Sequence, residues 1–153
     1  MTQIEPFILF ELAGTTYGVR SRFVQQIEMI EDFASVPNAH AALEGVVLVR
    51  GQVIPALNLR TRFGFEKIER DLRSRLVVIN TGMRVVGLIV DTAREFLKIA
   101  VESIEPPPVA LTGLSGQYLE GIATIGERLI LILNLDAVLD LDYEVEAALM
   151  DGR

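Results

Sequence analysis

The stretch LEGVVLVRGQVIPALNL, from Leu43 to Leu59, returns as LEGIATIGERLILILNL from Leu119 to Leu135, with no gap between the matching ends. A second pair aligns as well: FILFELAGTTYGV, from Phe7 to Val19, matches LVVINTGMRVVGL, from Leu76 to Leu88. A unit that recurs in one chain is typical of proteins in which each copy covers part of its neighbour's apolar surface. The sequence therefore predicts two similar half-domains.

Each copy consists of apolar segments separated by short gaps that contain glycine. Glycine allows the positive φ that tight hairpin turns require, and it occurs in these gaps as Gly14, Gly51, Gly82 and Gly126. The flanking segments are rich in Val, Ile and Leu and alternate little, as expected for strands that are covered on both faces. We therefore predict an all-β fold in which each half forms a small, strongly curled β-barrel.

The expected boundaries follow from the repeat and from the composition. The first barrel half is predicted over residues 7–70 and the second over residues 76–139, within a single domain spanning residues 1–153. Charges crowd together over residues 64–75, which indicates a solvated connector between the halves. Apolar residues at helical spacing, with acids between them, predict a short amphipathic C-terminal helix over residues 136–150.

The composition disfavours several classes of function. None of the 153 residues is cysteine, which rules out a disulfide framework, a thiolate metal site and a cysteine nucleophile. The net charge of -7 repels a phosphate backbone, so nucleic acid is not an expected partner. No apolar run approaches the roughly 18 residues of a membrane helix, and the first residues, MTQIEP, do not resemble an export signal. We therefore expect a cytoplasmic protein without direct membrane insertion.

Residues that could carry out catalysis are few and scattered. The single histidine, His40, lies in a polar stretch where we expect a loop residue and neither a ligand nor a base. No nucleophile-elbow, phosphate-binding or dinucleotide-binding motif occurs. Paired acids can hold a cation or hydrolyse glycosides, but those near the C-terminus alternate with apolar residues as on a solvated helix face: Asp136, Asp140, Asp142, Glu144 and Glu146. We expect no catalytic residue, no cofactor and no metal.

Arg50 is the lone charge within GVVLVRGQVIPALNL, and the predicted hairpin places it at a turn. The simplest interpretation is a solvated turn residue. The alternative is an interface anchor, because arginine is enriched at binding hot spots and its planar group offers five donors beside apolar strand ends. The residues alone favour neither interpretation.

The order of these motifs resembles that of the CheW-like adaptor domains of bacterial chemotaxis, most closely the stand-alone adaptor. The resemblance is carried by YGV at residues 17–19, LEGVVLVRGQVIPALNLR at 43–60, RVVGLIVD at 84–91, SIEPPP at 103–108 and YLEGIATIGERLILILNL at 118–135. It implies two SH3-like five-stranded β-barrels packed side by side. It also implies a scaffold without catalytic activity.

The resemblance further implies what this scaffold would bind. The expected partners are the cytoplasmic tip of a methyl-accepting chemoreceptor and the regulatory domain of a CheA-type histidine kinase, with self-association in membrane receptor arrays as a further implied contact. Transferred position by position, the candidate receptor-binding residues are Val24, Ile27, Arg50, Gly51, Val85, Val86 and Gly87. For Ile27, Val85, Val86 and Gly87 the alternative role is core packing. No kinase-binding residue is assigned.

The chain departs from the family pattern at Leu48 and Asn58, and two other classes of function remain as alternatives. Leu48 stands in place of a frequent asparagine and Asn58 in place of a frequent aspartate, so partner preference can differ within the family. A small β-barrel can also bind another kind of protein or single-stranded nucleic acid, although the acidic balance and the lack of tryptophan disfavour the latter. A carboxylate-dependent enzyme is the weakest alternative.

Overall fold

A computed structural model describes residues 2–108 and 116–141 of the chain. Within these ranges the backbone forms short strands joined mostly by tight turns. The strands are β1 (Ile4–Leu12), β2 (Thr15–Arg20), β3 (Val24–Met29), β4 (Leu43–Val49), β5 (Gln52–Asn58), β6 (Arg75–Asn80), β7 (Val85–Val90), β8 (Thr92–Ala100), β9 (Ile104–Glu105), β10 (Leu119–Ile125) and β11 (Arg128–Leu133). The helices are α1 (Leu59–Arg62) and α2 (Leu135–Leu139).

The strands are arranged in two sheets. Sheet 1 has the order β8-β1-β2-β11-β10-β9, and sheet 2 has the order β3-β6-β7-β5-β4. Neighbouring strands are antiparallel, except for the parallel pairs β2–β11 and β5–β7. The predicted all-β fold with two β subdomains is confirmed.

The two sheets do not coincide with the two halves of the sequence. Sheet 1 combines the hairpin β1-β2 with strands β8 to β11, and sheet 2 combines the hairpin β6-β7 with strands β3 to β5. The prediction that residues 7–70 and 76–139 each form their own barrel is therefore wrong. The reason is that β2 and β7 run on into the opposite sheet instead of turning back, since only Ser21–Phe23 and Asp91 separate them from β3 and β8.

Short contacts bring the two edges of each sheet together. In sheet 2 the chain beyond β3 returns to β4, where the backbones of Ala34 and Val46 exchange two hydrogen bonds of 2.9 Å. In sheet 1 the strand β8 bends through Val101–Ser103 into β9, which pairs with β10. Each sheet thereby curls around an apolar interior of its own.

The glycine of each LEG motif lies where these edges meet. Gly45 and Gly121 coincide with register shifts in β4 and β10. A Cβ atom at Gly121 would lie 2.6 Å from the carbonyl oxygen of Glu105, and one at Gly45 would collide with the carbonyl group of Ala34. Both obstacles are backbone atoms that cannot rotate away, so only glycine fits at these positions. The repeated motif therefore marks the seam at which each curled sheet meets its own edge.

Apolar side chains form three clusters. One lies inside sheet 2 and contains Val47, Val49, Ile54, Ala56, Leu76, Val78 and Ile89. A second lies inside sheet 1 and contains Phe7, Leu9, Ile99, Ala123, Ile130 and Ile132. The largest, which we call the inter-sheet core, draws on both sheets and includes Phe10, Tyr17, Val77, Leu88 and Val138. The two subdomains thus share one hydrophobic core in addition to their own.

The repeated LNL motif begins both helices. The Asn58 side chain accepts a hydrogen bond from the Thr61 N–H group and caps α1, and Asn134 accepts one from Ala137 and caps α2, each at 3.2 Å. Of the predicted helical span 136–150, the described part is helical as far as Leu139, where α2 ends. Residues 142–150 of that span lie outside the described residues.

Two arginines bind the end of α2 and account for its length. The buried Arg62 guanidinium donates three hydrogen bonds of 2.9–3.1 Å to backbone carbonyls, those of Val138, Ala137 and Asp140. Arg84 donates a further one of 2.6 Å to Leu139. These are the carbonyls that a longer helix would pair with its own N–H groups, so the arginines replace the next helical turn.

Asp91 joins the two sheets at the point where β7 passes into β8. Its carboxylate accepts hydrogen bonds from Arg60 Nε at 2.9 Å, from Arg60 Nη2 at 2.6 Å and from the Ala13 backbone N–H group at 3.0 Å. Partial burial on its own would raise the pKa of Asp91, but the hydrogen bonds and the charge of Arg60 outweigh it and the pKa is lowered. The ionised carboxylate therefore stabilises the folded state.

Replacing Gly121 with alanine should destabilise the protein by about 2–3 kcal/mol, because the added methyl group meets a fixed carbonyl and must displace β9. Gly126→Ala is the comparison variant, since nothing lies within 4 Å of the added atom and only the positive φ of Gly126, +62°, opposes a side chain there. The control should cost only about 1–2 kcal/mol of backbone strain. Urea unfolding measures both, and equal costs would contradict the role of Gly121 at the seam.

Replacing Asp91 with asparagine should lower the free energy of unfolding by about 2 kcal/mol at pH 7, because a charge-assisted pair is lost. The folded pKa is lowered, so the contribution is present above the unfolded pKa of about 3.9 and disappears as the pH falls through the folded pKa. Urea unfolding at pH 7, 4.5 and 3 should show the two proteins converging in acid. Glu95→Gln, in an exposed pair with Arg128, should change little at any pH.

Candidate binding surface at the outer edge of β3

Arg50 and Gly51 form the turn between β4 and β5, as predicted. Both have positive φ, +48 for Arg50 and +82 for Gly51, which is the pattern of a type I′ hairpin turn. Glycine adopts this conformation freely, whereas arginine does so only with backbone strain. A strained non-glycine residue at an exposed tip is a reason to ask whether its side chain has a function.

The Arg50 side chain reaches from this turn to β3. It is 73% exposed, and its Nε atom donates a hydrogen bond of 2.9 Å to the Glu28 carboxylate. Within the part of the chain that the structure describes, this is the side chain's only hydrogen bond, so the guanidinium keeps donors for a partner. The ion pair holds the tip of the β4-β5 hairpin beside the edge strand of sheet 2.

Val24 and Ile27 lie on one face of that edge strand because of a β-bulge. Three positions apart, they would point to opposite faces of a regular strand. The register shifts between Val24 and Gln26, so Val24 pairs with Ile79 and Ile27 with Val77, and both partners face the inter-sheet core. Val24 is half-buried against this core, and Ile27 is 37% exposed. The structure therefore brings these two candidates together.

Val85, Val86 and Gly87 do not join this surface. Val86 is buried in the inter-sheet core, and the half-buried Val85 packs against the interior of sheet 2. Gly87 is buried as well, and a Cβ atom there would lie 2.6 Å from the Leu76 side chain. The interior position of Val86 and Gly87 leaves them no surface for contact with a partner and supports the alternative role in core packing.

Four residues of this region were not among the candidates. Glu28 orients Arg50, and Met29, which points to the same face as Ile27, is strongly exposed at the end of β3. Leu48 and Val53 oppose each other across the β4-β5 hairpin and are both exposed. Leu48 is exposed because side chains alternate along β4 and its neighbours Val47 and Val49 are buried. The sequence hides this alternation, because buried and exposed positions are both apolar.

Potential metal ligands are scattered over the described part of the chain. Among residues 2–108 and 116–141, no three or more His, Asp or Glu side chains are grouped as metal ligands. His40 lies in the loop before β4, where its Nδ1 atom accepts a hydrogen bond of 3.0 Å from the Ala42 N–H group. None of the described helices has the length and apolar character needed to cross a membrane.

A CheW-like domain model matches residues 6–142, which is most of the chain. The chain belongs to the CheW-like family. Among curated relatives, it is 30% identical to the chemotaxis protein CheW of Klebsiella aerogenes over 148 residues, covering 97% of this chain and 87% of the relative. The protein FrzA of Myxococcus xanthus is 28% identical over 137 residues, covering 88% and 85%.

A solved CheW-like structure has the same fold. The crystal structure of the scaffolding protein TtCheW from Thermoanaerobacter tengcongensis superposes with a TM-score of 0.83 at 29% identity, covering 92% of this chain and 95% of that one. The resemblance drawn from the sequence motifs is therefore confirmed at the level of family and fold. The family is one of scaffold adaptors.

Replacing Arg50 with glycine should leave stability unchanged or raise it slightly, because the loss of an exposed ion pair, worth at most about 1 kcal/mol, is offset by relief of strain at positive φ. Arg50→Ala loses the pair and keeps most of the strain, so it should be the less stable variant. Thermal unfolding followed by circular dichroism compares them. An Arg50→Gly protein much less stable than Arg50→Ala would show that the arginine has a structural role.

Proposed function

We propose that this chain is a scaffold that couples the cytoplasmic tip of a methyl-accepting chemoreceptor to a CheA-type histidine kinase. Membership of the CheW-like family over residues 6–142 supports a scaffold, and the relatives with similar length are named as chemotaxis proteins. The receptor would bind along the outer edge of β3. The remaining surface stays available for the kinase and for neighbouring adaptors in the array.

The observation that carries the receptor assignment is the bulge in β3 together with the Arg50–Glu28 pair. The bulge turns Val24 and Ile27 to one face, where Met29 extends the apolar strip. The ion pair sets a guanidinium at the same strand edge from the opposite face. Apolar residues beside an orientated arginine form the composition that dominates binding hot spots. A helix lying along β3 would contact both elements at once.

The affinity expected of this surface is modest. Burial of apolar area contributes about 25 cal/mol per Å², but association costs several kcal/mol of lost freedom, so a small patch gives weak binding. Within a receptor array, simultaneous engagement of two partners raises the effective concentration and compensates for weak single contacts. Weak, separate surfaces on one rigid body are therefore sufficient for a scaffold.

Arg50→Ala and Val24→Asp should each weaken binding of a receptor signalling fragment about tenfold, as expected for hot-spot residues, while the thermal unfolding curves remain cooperative. Ile27→Asp is a third variant, which avoids the partly buried Val24 site. Leu129→Asp is the control, because Leu129 is an exposed apolar residue that lies on β11 of sheet 1, away from β3. Calorimetric titration of the fragment gives the affinities. Undiminished binding by all three edge variants would refute the receptor assignment.

The kinase and localisation proposals need a separate assay. Receptor fragments in vesicles should retain a CheA-type kinase in the pellet only when this protein is added, and the protein itself should pellet with the receptors. A cytoplasmic protein recruited to receptor arrays would behave in this way. Kinase retention without the protein, or no retention with it, would contradict the coupling role.

A further inference from the structure

A broad groove of about 1020 Å³ lies between the connector and the chain that follows β3. Its apolar lining comes from Ile30 and Phe33 after β3, Ile68 and Leu72 of the connector, and Ile89 of β7. We call it the connector groove. It shares no residue with the proposed receptor surface.

The two walls of the connector groove are held in place by contacts between them. Arg70 of the connector donates a hydrogen bond of 3.0 Å to the Glu31 carbonyl, and its guanidinium lies 4.7 Å from the centre of the Phe33 ring. Lys67 forms an ion pair of 2.8 Å with Glu44 of β4. A connector without regular secondary structure is thereby fixed against sheet 2. The groove is a preformed feature of the fold, so a ligand need not order it.

The charged lining of the groove is acidic on balance, since Lys67 and Arg70 stand against four acids, Asp32, Glu44, Glu69 and Asp71. Two of its acids are neutralised, since Glu44 pairs with Lys67, and Asp71 with Arg73 at 3.2 Å. Asp32 and Glu69 also line the groove, one on each wall, and neither has an ion pair among the described residues. Opposite walls therefore each present a carboxylate whose charge a bound cation would neutralise.

The connector also exposes apolar side chains that contribute little to the fold. Leu72 is 83% exposed and Ile68 is 47% exposed, although both lie in a segment otherwise composed mainly of charged residues. Apolar residues grouped beside a concave surface and rimmed by charge mark interaction sites more often than single exposed residues do. The lining of the connector groove thus combines apolar area with two carboxylates that have no ion pair among the described residues, and Arg70 is the one lining cation that is not paired with an acid among those residues.

We propose that the connector groove binds a short apolar segment of a partner protein that carries a lysine or arginine side chain. The aliphatic part of the segment packs on Ile30, Ile68 and Leu72, and its cationic group lies between Asp32 and Glu69. The groove is open to solvent, which suits a peptide segment better than an enclosed small molecule. The charge of its rim selects a basic segment over an acidic one.

The test uses the full-length protein labelled with ¹⁵N and two acetylated peptides, LLKIL and its arginine analogue LLRIL, with LLEIL and LLQIL as matched probes. We expect the basic peptides to shift amide signals of residues 30–33 and 67–72. The double variant Asp32→Asn, Glu69→Gln should bind LLKIL about tenfold more weakly and lose its preference over LLEIL. Leu72→Ser should weaken the binding of all four peptides, because it removes apolar lining.

Controls separate this result from general effects of charge and exposure. Glu127→Gln and Leu129→Ser alter an exposed acid and an exposed apolar residue that do not line the groove, and both should bind LLKIL as the unchanged protein does. All substituted side chains are exposed, so the spectra should retain the dispersion of a folded protein. Absence of shifts at millimolar LLKIL and LLRIL, equal binding of LLKIL and LLEIL, or shifts confined to other residues would each overturn the proposal.

Discussion

The parallel pairing of β2 with β11 and of β5 with β7 is the constraint on which the rest of the structure depends. Each pair joins the hairpin of one half to the strands of the other. In these pairs Gly18 lies opposite Ile132, and Gly87 lies opposite Ala56. A side chain at Gly87 would overlap Leu76, and one at Gly18 would press on Ile132 at 3.1 Å. The two glycines that align in the repeat therefore leave room for neighbouring side chains, that of Ile132 in the other half at Gly18 and that of Leu76 in the same hairpin at Gly87.

The exchange also explains why the two subdomains share one core. A line of ring contacts crosses the inter-sheet core from Phe10 through Tyr17 and Phe63 to Tyr118, with centroid distances of 5.0–5.8 Å. Arg62 lies over the Tyr118 ring, and its buried charge is compensated by backbone carbonyls at the end of α2. Surfaces on sheet 1 and sheet 2 are thus held in fixed relation, which is what a scaffold must provide to its partners.

Much of this fold could be predicted from the repeat, but the assignment of strands to sheets could not. Hairpins, the connector and the Arg50 turn follow from glycine placement and apolar pattern, which are local signals. A fold in which each half keeps its own first hairpin would bury the same residues, at the same spacing, as the observed fold in which the hairpins are exchanged. The apolar pattern of the sequence therefore cannot distinguish the two arrangements. The bulge at β3 is equally hidden, because it changes the facing of Ile27 without changing the composition. Motif resemblance proposed Arg50 as a candidate but not Glu28, since an ion pair between distant strands depends on the register.

The two copies preserve a mechanical link while differing in its chemistry. In sheet 2 the tip of the β4-β5 hairpin is tied to β3 by Arg50 and Glu28, and in sheet 1 the start of β11 is tied to β8 by Arg128 and Glu95 at 2.8 Å. The guanidinium has moved from the strained turn to the strand beyond it. The edge residues differ too. Phe96 of β8 pairs with Ile8, and the equivalent pair in sheet 2 is Ile27 of β3 with Val77. The two ion pairs hold both hairpins in equivalent places, but the side chains at the edges differ. The duplicated fold therefore offers two unlike surfaces, as a protein that joins different partners requires.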